Sequence, residues 1–465
     1  MSIEPIGLVT LAIGLICLMR GSGPTVIAFS VFPVLGGAAA LLLGSTGIQP
    51  GHFFLGFLIL STFWLHGDPA MVADRTLRSP AFVWLVLLVV YGVLAGYFAP
   101  RLLEGTMEII PLGTSASGTS EGKIPLMPVS GNFTQAVYLT ADLVTFGLIL
   151  SIASTQRSFR HVTLGVLAFG IANVFFGIAD LLSPGTPIAD LFSYIRNSTY
   201  TFHADEMVAG MRRIIGSWPE ASAFAGASMA VVGFCGTLWI CGRHSAMSGL
   251  LFALSTILII RSTSSGGIAG LPICLAILYL TSLLRCGGAS GTRASLLVVI
   301  AFPVVALMLG FVLALNRDLF QEVYRFVDIT ILSKPASLSA LERGSWNASG
   351  LSNFWDSYGF GVGLGTVRTS SFAVALLSNV GVFGTIFFLA FLLTAVIWPR
   401  GEARSYEADV GLAARNGCLC LIVGALISGS TVDLGLIFFI MAGLRSAVPE
   451  ASPSGSQSMA IRSVL

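Results

Sequence analysis

Apolar residues along this chain come in long unbroken runs rather than in alternation with polar ones. Stretches near the length that a membrane-crossing helix needs, roughly 20 residues, recur from residue 6 to residue 446. They predict spans at about 6–19, 24–44, 52–65, 80–99, 134–153, 162–183, 219–241, 247–260, 266–284, 294–316, 372–398, 416–428 and 432–446. That makes about thirteen helices, with twelve and fourteen as neighbouring counts. The expected fold is all-α, a polytopic transmembrane bundle forming one integral membrane domain over residues 1–465. Met1–Pro5 carries no basic residue and many further runs follow, so the first run reads as a span rather than a cleaved leader.

Composition points the same way. Of the 465 residues 55% are hydrophobic and only 10% charged, against about 25% charged in ordinary soluble domains; the mean hydropathy is +0.89. A net charge of +2 without any basic run argues against a nucleic-acid partner. Cys17, Cys235, Cys241, Cys274, Cys286, Cys418 and Cys420 lie in apolar runs or at their ends and read as small packing groups, not as a disulfide framework. Gly266 and Gly270 form a GxxxG pair suited to close helix approach. No strand precedes Ser264–Gly267 and no Lys-Ser/Thr pair follows it, so it is not a phosphate loop.

Basic residues sort the connections into two sets. Arg20, Arg75 with Arg78, Arg157 with Arg160, Arg243, Arg285 with Arg293, and Arg400, Arg404 and Arg415 fall on alternate short connections, which marks that side as cytoplasmic. The amino terminus is then expected outside and the carboxyl terminus inside. Three longer connections, at about 100–133, 184–218 and 317–371, face outward in this scheme, and long ordered loops in compact proteins are commonly functional. The first is rich in Gly, Ser, Thr and Pro and reads as a flexible or lid-like segment. The other two concentrate Arg, Asp, Glu and aromatic residues in a chain otherwise poor in them.

Those two connections supply the candidate site. Arg212 and Arg213 precede Trp218 and Glu220 where the chain re-enters the membrane; Arg343 precedes Trp346, and Arg368 follows Gly359, Gly361, Gly363 and Gly365. Guanidinium groups hold phosphate oxygens bidentately and keep their charge when partly desolvated, which suits a pyrophosphate at a membrane surface. The bland alternative is snorkelling to headgroups or pairing with Glu206, Glu220 or Glu342. Trp218, Trp346 and Trp355 suit either sugar stacking or interfacial anchoring. Asp142 and Asp180 lie within spans, where ionisable residues are functional candidates by default. His203, beside Asp205 and Glu206, lacks the company that a metal site needs, so neither metal nor cofactor is expected. Asn132, Asn197 and Asn347 open glycosylation-type triplets of the kind that arise by chance.

The segment YGFGVGLGTVRTSSFAVALLSNVGVFG at 358–384 resembles the glycine-rich loop and following helix of the O-antigen polymerase and ligase superfamily, the Wzy/WaaL group. ERGSW at 342–346 resembles the Arg-then-Trp element before that loop, and RRIIGSWPEASAFA at 212–225 resembles a loop-to-helix segment of exopolysaccharide polymerases. RSTSSGGIAGL at 261–271 is similar to a Ser-Arg-Gly turn that opens another family helix. Two departures stand out. Thr369, Ser370 and Ser371 occupy the place where the ligase branch carries a histidine, which speaks against a ligase, and Ser265 stands at the turn's arginine position, leaving Arg261 as its candidate replacement.

The resemblance implies a metal-independent glycosyltransferase of a bacterial inner membrane. It would polymerise polyprenyl-diphosphate-linked oligosaccharide repeats, donor and acceptor both being lipid-linked, alongside a chain-length regulator or export complex. Arg213, Arg343 and Arg368 are the expected clamp on the leaving diphosphate. Glu220 is the first candidate to take the acceptor's proton, with Glu342 and Asp356 next. Arg212, Arg261, Trp218, Trp346, Ser370 and Ser371 are the expected substrate-binding residues. The competing class is a lipid-linked sugar flippase or other transporter, against which stand the absence of an internal repeat and the placement of the arginines in loops.

Overall fold

A computed structural model describes residues 2–43, 46–65, 69–113, 122–198, 206–208, 210–288, 290–333, 338–398 and 404–449; His203 and Asp205 lie outside these residues. Among them the chain is an all-α, multi-pass membrane bundle. Eight helices are long and apolar enough to cross a membrane, and five shorter apolar ones accompany them. In chain order the helices are α1 (Pro5–Arg20), α2 (Ser22–Val31), α3 (Pro50–Leu60), α4 (Pro69–Leu77), α5 (Pro80–Leu102), α6 (Ser130–Ile152), α7 (Gln156–Leu182), α8 (Ile188–Phe192) and α9 (Ala221–Ile240). They continue with α10 (Ser245–Arg261), α11 (Ser265–Gly287), α12 (Arg293–Leu315), α13 (Arg317–Val327), α14 (Leu338–Asp356), α15 (Phe372–Leu392), α16 (Tyr406–Ser428) and α17 (Leu436–Ser446).

Small residues decide which helix is central. On α9 the most apolar window is 83% buried, the largest share of the eight. It carries Ala, Ser and Gly along its length, and at Gly233 a Cβ would come within 2.4 Å of the Asn416 carbonyl oxygen of α16. Lipid tails are as apolar as Leu, so membrane helices associate where backbones can approach closely. The opposite case is α12, with none of its most apolar window buried; it meets α11 along one side, where Phe302 packs on Tyr279, and the apolar surface left exposed on a membrane helix faces lipid.

Three expectations from the apolar pattern are corrected. The run at 24–44 is no single span: α2 ends at Val31, a 3-10 turn follows at Phe32–Val34, and Leu41–Leu43 pairs in a small antiparallel sheet with Thr46–Ile48 and with Ser2–Ile3. Pro33, Gly36 and Gly37 supply the break. The span at 416–428 begins ten residues early, at Tyr406, and takes Asp409 into the protein. That carboxylate is satisfied by Arg243 at 2.9 Å and Arg285 at 2.8 Å, partners that hydropathy cannot foresee. Thirdly, the connection at 317–371 is largely helical, through α13 and α14.

The long connections share one end of the bundle. Pro111 bridges Val367, Asn353 donates to the Glu108 carbonyl oxygen, Ser217 to that of Val34, and Arg261 to that of Arg212. The basic short connections meet at the other end, where Arg160 and Arg243 lie over the Tyr406 ring and Arg243 donates to the Arg404 carbonyl oxygen.

Candidate functional site

The glycine-rich segment after α14 becomes a tight loop wedged between α5, α6 and α15. Gly359, Gly361, Gly363 and Gly365 all have positive φ, the region that side-chain-bearing residues avoid. At Gly365 the reason is also steric, since a Cβ would stand 2.2 Å from the Gly131 carbonyl oxygen at the start of α6. Asparagines hold the loop's backbone. Asn379 Oδ1 accepts from the amides of Thr366 and Val367, and its Nδ2 donates to the Val367 carbonyl oxygen. Asn132 Nδ2 donates to the Leu364 carbonyl oxygen and to Thr366 Oγ1. Such side-chain amides satisfy both donors and acceptors of irregular backbone.

This anchoring presents Arg368. From Gly361 to Ser370 every residue is buried except Arg368. Its amide donates to the Ile110 carbonyl oxygen, and its guanidinium lies 4.1 Å from the centre of the Trp346 ring. Trp346 is one turn from Arg343 on α14, so both project from the same side. Arg343 stands 3.7 Å from Glu220, beyond hydrogen-bonding distance, with both side chains over a third exposed. Glu220 is the N-cap of α9 and accepts from the Ser222 hydroxyl. Glu220, Arg343, Trp346 and Arg368, from segments far apart in sequence, thus form one continuous surface. Beyond them, on α14, Trp355 is 69% exposed and lines a groove of about 600 Å³ with Glu108, Lys123, Asp356 and Tyr358.

The other predicted arginines form a second group of different character. Arg212 donates to the carboxylate of Asp180 at 3.0 Å and also to its carbonyl oxygen. Arg196 meets the same carboxylate at 2.8 Å. Asp180 is fully buried and also accepts from the amides of Ile215 and Gly216. Arg261 donates to the Arg212 carbonyl oxygen, and Arg213 pairs with Glu206 at 2.5 Å. Trp218 donates to Asn173 Oδ1, and its ring lies against Gly36, where a Cβ would come within 2.5 Å. These residues fix the re-entry of the chain into α9. Ser370 is buried, its amide bonded to Asn347 Oδ1, while Ser371 is the N-cap of α15.

Arg196, Asn379 and Asn132 were not picked out as site residues from the sequence. Asn379 had a usable signal, an amide inside the apolar run after the glycine series; Arg196 had none, because its partner is remote in sequence.

Set against known proteins, the chain matches no family model and no curated protein.

Proposed function

We propose that the chain is a membrane glycosyltransferase of the bacterial inner membrane, joining polyprenyl-diphosphate-linked oligosaccharide repeats into an exopolysaccharide or O-antigen at the outer face. The observation that carries this reading is the shared surface of Glu220, Arg343, Trp346 and Arg368. Neither guanidinium in it is locked into a close carboxylate pair among the described residues, so both are open to an anion. Arg343 and Arg368 then make the diphosphate clamp, while Arg213 pairs with Glu206 and Arg212 and Arg261 hold the chain's path into α9.

In the reaction the acceptor hydroxyl oxygen attacks the anomeric carbon of the donor as the bond from that carbon to the diphosphate oxygen breaks. Polyprenyl diphosphate leaves with the electron pair, its added charge met by preorganised cations in a poorly hydrated site. The hydroxyl proton passes to Glu220. Exposed Trp355 and Tyr358 beside Asp356 and Glu108 suit a sugar chain, with flat faces to stack on and carboxylates to accept hydroxyl protons.

A second reading, a lipid-linked sugar flippase, draws on Asp142, buried in the middle of α6. One experiment separates the two. Purified protein in nanodiscs, given lipid-linked repeats with EDTA present, should yield a ladder of longer lipid-linked glycans and free polyprenyl diphosphate. Arg368→Ala should lower the rate by about 10²–10³, the usual cost of removing one charge-stabilising donor, and Lys should rescue it poorly for want of a planar fork. No elongation of authentic substrate, together with protein-dependent movement of that lipid between liposome leaflets, would replace the enzyme by the flippase.

A further inference from the structure

Gln135, Tyr138, Asp142 and Thr145 follow one another on α6 at steps of three, four and three residues, which puts them on one face. All four are buried, Asp142 and Thr145 completely. At 1.5 Å rise per residue the stripe is about 15 Å long. Its first member touches the glycine-rich loop, since a Cβ on Gly365 would stand 2.9 Å from Gln135 Cγ. His52, on α3, stacks on Tyr138 with ring centres 4.5 Å apart. Asp433, in the turn between α16 and α17, lies close enough for its charge to act on both Asp142 and His52.

Tyr138 donates to the Gly47 carbonyl oxygen and Asp433 accepts from the Gly435 amide, but six other polar atoms of this cluster have no such partner. Both carboxylate oxygens of Asp142, Oε1 of Gln135, Oγ1 of Thr145 and both ring nitrogens of His52 are buried without a hydrogen-bond partner. A buried polar atom without a partner costs about 1–3 kcal/mol, so six together mark a place built for something other than protein. Among the described residues no cation acts on Asp142. On the elements packed against α6, Arg101 lies over Tyr97, Arg445 donates to the Val396 and Trp398 carbonyl oxygens, and Arg78 pairs with Asp74. Asp180 is held by Arg196 and Arg212, while Arg75, Arg157, Arg160 and His161 belong to the basic end.

We infer that Asp142 holds a proton and forms, with Asp433, His52 and bound water, a membrane-buried proton-binding site. A carboxyl group buried without a partner in a medium of low dielectric, with a second carboxylate's charge acting on it, does not stay ionised. One proton removes a charge and turns an acceptor into a donor, and water bridging Gln135, Thr145 and the imidazole satisfies the rest. The site stands on the geometry of α3, α6 and the 429–435 turn, independently of the glycosyltransferase reading.

Infrared difference spectroscopy of the full chain in nanodiscs tests it. At neutral pH the wild type should show a carboxylic acid C=O band that shifts in D2O, Asp142→Asn should lose it, and Asp433→Asn should move it to a new frequency. Absence of the band from the wild type at neutral pH, or its survival unchanged in both variants, would overturn the assignment. So would its disappearance when sodium chloride replaces potassium chloride, because the pair would then hold a metal cation. Should Asp142→Asn not fold, the wild-type band with its D2O shift and the Asp433→Asn frequency still decide.

Discussion

Arg212 and Arg368 carry the same group at the same end of the bundle, yet their surroundings are opposed. Arg212 is committed to a fully buried carboxylate that also takes Arg196 and two backbone amides. Arg368 rests on an aromatic face at the rim of a rigid loop, its guanidinium toward the surface. A guanidinium locked to Asp180 holds the chain's path into α9; one on Trp346 can exchange its ring for a ligand. Chemical type therefore does not tell the two arginines apart here, and the partner's burial does.

The sharpest way to break this contrast is at Asp180. Asp180→Ala leaves two arginines and two amides uncompensated, and removing one partner from a buried ion pair costs about 3–5 kcal/mol. Purified Asp180→Ala should therefore lose most of its folded fraction on size-exclusion chromatography after heating, whereas Arg368→Ala should match the wild type. Equal losses in both would erase the distinction.

Next in size is Gly365→Ala. The left-handed conformation costs a side-chain-bearing residue about 1–2 kcal/mol, and contact with the Gly131 carbonyl oxygen at 2.2 Å adds to it. Gly105→Ala, at φ 70° with nothing within 4 Å of the new Cβ, should cost only the conformational part. Thermal midpoints in detergent compare them; a smaller drop for Gly365→Ala than for Gly105→Ala would mean that the loop gives way easily and does not hold Arg368 rigidly.

The smallest effect belongs to the ion pair of Arg343 and Glu220. Exposed pairs at this separation contribute about 0–1 kcal/mol, so a double-mutant cycle on stability with Arg343→Ala and Glu220→Gln should give coupling in that range. Coupling well above it would put Arg343 in the structural class with Arg212.

Much of this fold was legible beforehand because lipid imposes a simple rule: a crossing helix needs a long apolar run, and α5, α9, α11, α12 and α15 lie close to their expected ranges. The pattern misled where that rule is relaxed by a buried partner. Asp409 enters α16 because Arg243 and Arg285 receive it. The site was half legible. Glu220, Arg343, Trp346 and Arg368 were recognisable by type and by resemblance, but nothing local distinguished Arg343 from Arg212, and Asp433 lay in a short turn with no sign that Asp142 stood across from it.

The sequence by itself determined that the chain is a helical membrane bundle with its scarce polar chemistry in a few connections, since hydropathy and helix length are local properties of a chain in lipid. Only the tertiary structure decided which charged group meets which. Pairing depends on segments brought together by helix packing, and the close approach at Gly233, the seating of the loop on Asn379 and the meeting of Asp142 with Asp433 are all long-range events.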